Sequence, residues 1–134
     1  MTETTPFLLF CGPHSSQAEE AITFYVSLLK NSQITAIDRY GPNEHEPEGT
    51  VRLARFTLAG REYMAIDSAE AHNFTFTPAF SIFVTCESES ELETLYEALR
   101  VGGAELMPLD NYGFSRKFVW LNDRYGVSWQ VNLP

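Results

Sequence analysis

Two stretches of the chain, FLLFCGPHSSQAEEAITFYVSLL (7–29) and FSIFVTCESESELETLYEAL (80–99), share one order of elements and decide the fold. Each begins with a short apolar run, which is typical of a buried strand. Each continues with Ser-x-x-Glu, at Ser16 and Ser88, a capping box in which the serine oxygen accepts an amide of the first helical turn. Apolar residues then recur at helical spacing. We therefore predict two strand–helix units, with one helix over roughly 16–30 and the other running from Ser88 to Gly102-Gly103.

Three further strands are predicted after each helix. The first helix is followed by a strand at 33–40 and a hairpin, 51–58 with 63–66, about Ala59-Gly60. The second is followed by a strand beginning at 105–110 and a hairpin, 117–121 with 127–133, about Asp123–Gly126. Because capping boxes and turns recur at matching offsets, we interpret the halves as a repeat rather than as a chance similarity. The fold class predicted is α+β, with two βαβββ modules forming one eight-stranded mixed sheet cup around a shared aromatic cavity.

We expect one domain, 1–134, with module one at about 6–67, a linker at about 68–78 and module two at about 79–134. The 134 residues are 44% hydrophobic and 13% aromatic, enough for a substantial core.

The charge balance excludes several kinds of partner. A formal net charge of −9 disfavours nucleic acid and anionic membrane surfaces. No apolar run approaches the roughly 18 residues needed to span a bilayer, and MTETTP (1–6) has no basic segment typical of a secretory signal. Two cysteines without CxxC spacing favour reduced thiols and a cytoplasmic protein.

Four segments resemble the PhnB-like branch of the vicinal oxygen chelate superfamily: 6–29, HNFTFTP (72–78), 80–99 and, most specifically, DRYGVSWQVN (123–132). That superfamily includes glyoxalase I, extradiol dioxygenases and bleomycin-resistance proteins. The resemblance implies paired βαβββ modules and, commonly, a homodimer. Some relatives are labelled demethylubiquinone methyltransferases. We do not expect that activity, because the chain has no glycine-rich loop between strand and helix for S-adenosylmethionine and is too short for a methyltransferase fold.

The resemblance also indicates where a metal would bind. Enzymes of the superfamily hold a divalent ion with His or carboxylate side chains from the first strand and the last hairpin strand of each module. The matching positions here are about Pro6 or Phe7, Met64, Phe80 and Gln130. None is a His, Asp or Glu, and Glu62 is the one carboxylate near a hairpin position. We therefore expect no metal and no cofactor, while catalytic residues remain unassigned.

Six residues are candidates for binding a small-molecule ligand, each with a structural alternative. His72 is a hydrogen-bond donor or general base at the cavity rim, or a solvated loop histidine. The aromatic candidates contact a planar ligand or pack the core, and Gln130, which alternates with Trp129, faces the cavity or is satisfied by protein groups. The six are His72, Phe74, Phe76, Tyr112, Trp120 and Gln130.

Three other side chains carry chemistry that the sequence does not assign. Arg55 and Lys117 either supply positive charge to an anionic substrate or lie on the surface without a role in binding. Cys86 has two interpretations. It is a thiol whose pKa is lowered by the N-terminus of the following helix, or it is a small buried residue that packs like an apolar one.

The function predicted is a metal-independent small-molecule-binding protein with an aromatic-lined cavity for an organic ligand. The alternatives are a metal-dependent lyase, isomerase or dioxygenase with displaced ligands such as His72 and Glu62, and a non-catalytic dimeric interaction module.

Overall fold

The chain forms two units, Met1–Thr75 and Phe76–Pro134, in a computed structural model that describes residues 1–134. Both units have one element order, strand–helix–three strands. The first contains β1 (Phe7–Phe10), α1 (Ala18–Leu28), β2 (Gln33–Arg39), β3 (Val51–Leu58) and β4 (Arg61–Asp67). The second contains β5 (Ser81–Thr85), α2 (Glu89–Leu99), β6 (Ala104–Asp110), β7 (Lys117–Asn122) and β8 (Ser128–Leu133).

Each unit has a four-stranded mixed sheet with the same topology. The strand orders are β1-β4-β3-β2 and β5-β8-β7-β6. In each, the first strand is parallel to the last and the other neighbours are antiparallel. Two βαβββ modules in the α+β class are therefore confirmed. That both modules line one shared cavity stays a prediction.

Alternation along the strands separates a helix-covered face from an open face in each sheet. In the first module, the side chains of Ala54, Phe56 and Ala65 are fully buried on the face toward α1, whereas Arg55 and Met64 are half-buried on the other. In the second, Trp129 and Val131 are fully buried on the face toward α2. Their neighbours Gln130 and Asn132 occupy the open face.

The two helices begin in different ways. At α2 the predicted capping box is confirmed: Ser88 Oγ accepts from the backbone N–H of Glu91 at 3.2 Å, and the Glu91 carboxylate accepts from that of Glu87 at 2.9 Å. At α1 it is wrong. Ser16 has a positive φ of 72°, and the N-cap residue Gln17 makes no side-chain cap bond.

Asp67, at the end of β4, replaces the predicted cap of α1. Its carboxylate accepts the backbone N–H groups of Ala18 at 3.0 Å, of Val51 at 2.9 Å and of Ser16. It thereby ties the starts of α1 and β3 to the end of β4. Burial raises the pKa of Asp67 above its ordinary value of 3.8, although the backbone hydrogen bonds oppose the shift and Glu46 adds to it.

The predicted hairpin turn is confirmed: Ala59 and Gly60 connect β3 and β4 with φ values of 50° and 86°. Asn31, which follows α1, has a left-handed φ of 55°. Neither helix is long and apolar enough to cross a membrane.

Candidate functional site

The DRYGVSWQ segment (123–130) builds a rigid turn and presents one side chain beyond it. The Asp123 carboxylate accepts the backbone N–H groups of Tyr125 at 2.8 Å and Val127 at 3.1 Å, and the indole N–H of Trp129 at 2.8 Å. Trp129 is fully buried on the face toward α2. The segment therefore anchors β8 through Asp123 and Trp129, and Gln130, the next residue, faces the open side of the sheet.

Four aromatic rings cluster on the open face of the second sheet; we call Phe83, Tyr112, Phe114 and Phe118 the aromatic patch. The Phe114 and Tyr112 rings meet Phe118 edge to face, with centroid distances of 5.1 Å and 6.0 Å. The ring centroid of Phe83, on β5, lies 6.4 Å from that of Phe118. Phe118 is buried beneath the others, whereas Phe83 and Phe114 are 54% and 62% exposed. Large rings so exposed on one face are typical of a contact surface.

Trp120 and Gln130 extend this surface along β7 and β8. The two residues lie directly opposite each other, and Phe83 lies opposite Gln130 on the other side. The Trp120 indole N–H donates to Ser128 Oγ at 2.8 Å, and that hydroxyl is 2.7 Å from Ser81 Oγ. The Trp120 ring is therefore held in place by a chain of two hydroxyl groups.

Two side-chain amides on this face have unused hydrogen-bonding capacity. The amide of Gln130 makes no hydrogen bond to the protein. Asn122 Oδ1, at the end of β7, is buried and also lacks a partner. Buried polar groups are normally satisfied, so Asn122 Oδ1 is an exception to the rule. The Gln130 amide is only half-buried, which leaves it accessible to a further molecule.

The six predicted ligand-binding residues fall into separate groups. Trp120 and Gln130 lie opposite each other in the second module. Tyr112 belongs to the same module but lies in the loop after β6, where its ring contacts Phe118. His72 and Phe74 come together in the first unit, with ring centroids 4.9 Å apart, and His72 Nε2 lies 3.2 Å from Ser68 Oγ. Phe76 belongs to the second unit, and neither it nor Phe74 lies on a strand.

The rest of the patch, namely Phe83, Phe114 and Phe118, is not among the residues predicted from the sequence. Alternation along FSIFVTC places Phe83 on the face opposite the buried Ile82, so a local signal for this residue exists. Phe114 lies in the loop between β6 and β7, where no periodicity exists to place it.

The residues at the expected metal positions do not fit a divalent ion. Phe7 lies opposite Met64 as expected, but Phe83, not Phe80, lies opposite Gln130 because β5 begins only at Ser81. Phenyl rings cannot ligate, and thioether and amide groups are poor ligands for Zn²⁺, Mn²⁺ or Fe²⁺. Glu62 forms an ion pair with Arg55 at 2.5 Å. Nowhere do three His, Cys, Asp or Glu side chains form a metal-binding group.

The residues of the chain also do not fit S-adenosylmethionine, the cofactor that a methyltransferase would need. Both helix N-termini, the usual places for a charged cofactor group, are capped from within the chain. The Ala18 amide is bound by Asp67 and the Glu91 amide by Ser88. A polar cleft of about 350 Å³ opens beside residues 3–6, Arg61 and Glu62, but it contains no aromatic ring.

The remaining reactive groups serve the structure. Lys117 pairs with Glu89 at 2.5 Å and Glu93 at 2.8 Å, both on α2. Burial raises the pKa of the Cys86 thiol to about 12, with a further contribution from Glu91. Of the two alternatives, the small buried hydrophobe therefore agrees with the structure, and the thiol with a pKa lowered by the helix N-terminus does not. Cys86 is therefore an inert, buried thiol at neutral pH.

Comparisons with known proteins agree with this fold. The family model described as 3-demethylubiquinone-9 3-methyltransferase matches residues 2–132. The solved structure of a PhnB protein from Bacillus cereus is 53% identical, with a TM-score of 0.93, and the match covers 99% of this chain and 100% of that one. No protein with a curated description matches the chain.

More distant structures share the architecture. A protein from Pseudomonas aeruginosa is 28% identical with a TM-score of 0.81, over 99% of this chain and 98% of that one. A glyoxylase/bleomycin resistance protein/dioxygenase domain from Frankia is 14% identical with a TM-score of 0.64, over 99% and 97%. The latter shows a common fold alone. The chain belongs to the family described as 3-demethylubiquinone-9 3-methyltransferase, in the PhnB-like branch of the vicinal oxygen chelate superfamily.

Proposed function

We propose that the protein binds a small organic molecule without a metal ion, on the aromatic patch and the adjoining Gln130. The observation that carries the proposal is the exposure of Phe83 and Phe114 over the buried Phe118, beside an amide that has no partner. Rings arranged in this way offer apolar area to a planar ligand, and the amide fixes its orientation.

The expected affinity follows from area and hydrogen bonding. Covering about 100 Å² of apolar surface stabilises a complex by about 2.5 kcal/mol. One hydrogen bond to Gln130 adds about 1 kcal/mol, and stacking on the rings adds about 1 kcal/mol. The sum, about 4.5 kcal/mol, is a gross stabilisation from which the loss of translational and rotational freedom on binding must be subtracted. A ligand that binds below about 100 μM therefore needs further contacts beyond these.

The test is equilibrium dialysis of the whole chain against a panel of planar aromatic compounds, with calorimetry on those retained. We expect at least one compound to bind with a dissociation constant below about 100 μM. Phe114→Ala should weaken that binding at least about fivefold. Val101→Ala is the matched control, because Val101 is 61% exposed but follows α2 and does not lie on the sheet. Retention of no compound at about 1 mM would overturn the proposal.

The side chains at the expected metal positions support binding without a metal ion. Phe7 lies opposite Met64 in the first module, and Phe83 lies opposite Gln130 in the second. Metal analysis of protein purified without chelators tests it. A stoichiometric divalent ion would instead favour the metal-dependent lyase, isomerase or dioxygenase.

We also propose that the protein is a cytoplasmic homodimer. Both cysteines are free and buried, as expected in a reducing compartment. Each sheet has two edge strands, and pairing between chains would cover exposed edges. Sedimentation equilibrium measures the mass directly, and a monomer at about 100 μM would exclude a functional dimer.

A further inference from the structure

We propose that the ligand of the aromatic patch carries a cationic amine. This inference rests on the proposed function and names the chemical class that the site selects. Asp110, the last residue of β6, pairs with Phe118 beyond a register shift between Met107 and Asp110. Paired residues of neighbouring strands point to the same face of a sheet with Cβ atoms about 5 Å apart. The pairing therefore places the Asp110 side chain on the same face as Phe118.

Asp110 is the one charged side chain on the open face of this sheet. The polar groups contributed there by β5, β7 and β8 are the hydroxyls of Ser81, Thr85 and Ser128 and the amides of Asn122, Gln130 and Asn132. The Asp110 carboxylate accepts one hydrogen bond, from the backbone N–H of Asn111 at 2.7 Å, and has no ion-pair partner. Its charge is available to a ligand.

No cation of the second module balances that charge at the patch. The module holds eight acidic and four basic side chains and no histidine. Lys117 pairs with Glu89 and Glu93, and Arg100 with Glu97. Arg116 donates to the Pro134 carbonyl oxygen at 2.7 Å, and Arg124 lies over the Tyr125 ring at 4.9 Å. The charges of this module therefore favour a cation over an anion at the patch.

The rings favour a cation by themselves. Tyr112 and Phe114 are nearly parallel, with an interplanar angle of 17°, and both stand steeply to Phe118, at 88° and 71°. Phe114 is also 62% exposed, so part of its ring is accessible to a ligand. The faces of aromatic rings attract ammonium groups, and the attraction increases as the group loses water.

Two probes of equal shape separate charge from hydrophobicity. We would titrate the whole chain with 4-hydroxyphenyltrimethylammonium and with 4-tert-butylphenol, which differ only by the exchange of N⁺ for carbon. We expect the cation to bind at least about fivefold more tightly, although the neutral compound is the more hydrophobic. Phenol-4-sulfonate, the anionic analogue, should bind at least about tenfold more weakly than the cation.

The Asp110→Asn variant assigns the preference to this carboxylate. It should lower the cation-to-neutral affinity ratio at least about threefold and leave the affinity of 4-tert-butylphenol unchanged. Glu97→Gln is the matched control, because it removes one negative charge from the same module on α2 and should leave the ratio unchanged.

The outcomes distinguish the two proposals. Equal or tighter binding of 4-tert-butylphenol by the native chain would overturn the inference and leave the proposed function standing. A ratio that Asp110→Asn does not alter would also overturn it. Absence of binding by every probe and every compound of the panel would overturn the proposed function, and the inference with it.

Discussion

Replacing Asp67 by alanine tests whether one remote carboxylate holds the first module together. The side chain is 3% exposed and accepts the backbone N–H groups of Ser16, Ala18 and Val51. Each buried N–H that loses its partner costs about 1–3 kcal/mol. We take the lower figure for each of the three, because removal of a buried charge recovers part of its desolvation cost. The free energy of unfolding should therefore fall by about 3 kcal/mol.

The assay combines urea unfolding with hydrogen exchange. The unfolding curve, followed by circular dichroism, gives the loss of stability. Exchange of the Ala18 and Val51 amides tells whether the loss begins where the carboxylate binds, and both should lose protection before the amides of β8. Asp38→Ala is the control, because Asp38 pairs with Arg52 on the surface and its loss should leave stability nearly unchanged. Native stability in Asp67→Ala, or unaltered exchange at Ala18 and Val51, would refute the reasoning.

Three further predictions concern single residues. Burial raises the pKa of Asp67. The stability that its protonation contributes is therefore complete below the ordinary pKa and is lost as the pH rises through the pKa of the folded state. Asp67→Asn should destabilise the protein more near pH 4 than near pH 7, and urea unfolding curves that show no such difference would contradict this. Because the Cys86 thiol has a pKa of about 12, it should react with iodoacetamide at pH 8 at least about 100-fold more slowly in the native than in the urea-unfolded chain; comparable rates would exclude a buried thiol. A Cβ at Gly103 would lie 2.2 Å from the Asn122 carbonyl oxygen, so Gly103→Ala should cost about 2 kcal/mol or more in urea unfolding, whereas Gly49→Ala, with no atom within 4 Å, should cost about 1 kcal/mol from its positive φ alone.

The sequence predicts the architecture because that information is local. Strand alternation, helical spacing, the Ser88 cap and the Ala59-Gly60 turn each depend on neighbouring residues, and all agree with the structure. The equally plausible cap at Ser16 fails because a stronger acceptor, the Asp67 carboxylate, arrives from a strand that lies 49 residues beyond Ala18. No local pattern contains that contact.

The candidate site is predicted only in part for the same reason. Alternation beside the buried Trp129 determines the face on which Gln130 lies, whereas the ligand-binding role of Gln130 stays a prediction. Phe83 is not predicted because Phe80, three residues earlier, is the apolar residue that opens the run, whereas the strand begins only at Ser81. Phe114 and Tyr112 lie in a loop, and only the folded chain brings them onto Phe118.

The different beginnings of α1 and α2 have a consequence for how the two halves acquire their structure. Ser88 and Glu91 lie within one turn of the helix they cap, so the α2 segment has its nucleating contacts before any sheet exists. The α1 segment waits for Asp67, and hence for synthesis of the whole first module. We therefore expect α1 of a nascent chain to form only after β4 has been synthesised. The α2 segment, by contrast, should begin to form its helix as soon as it emerges.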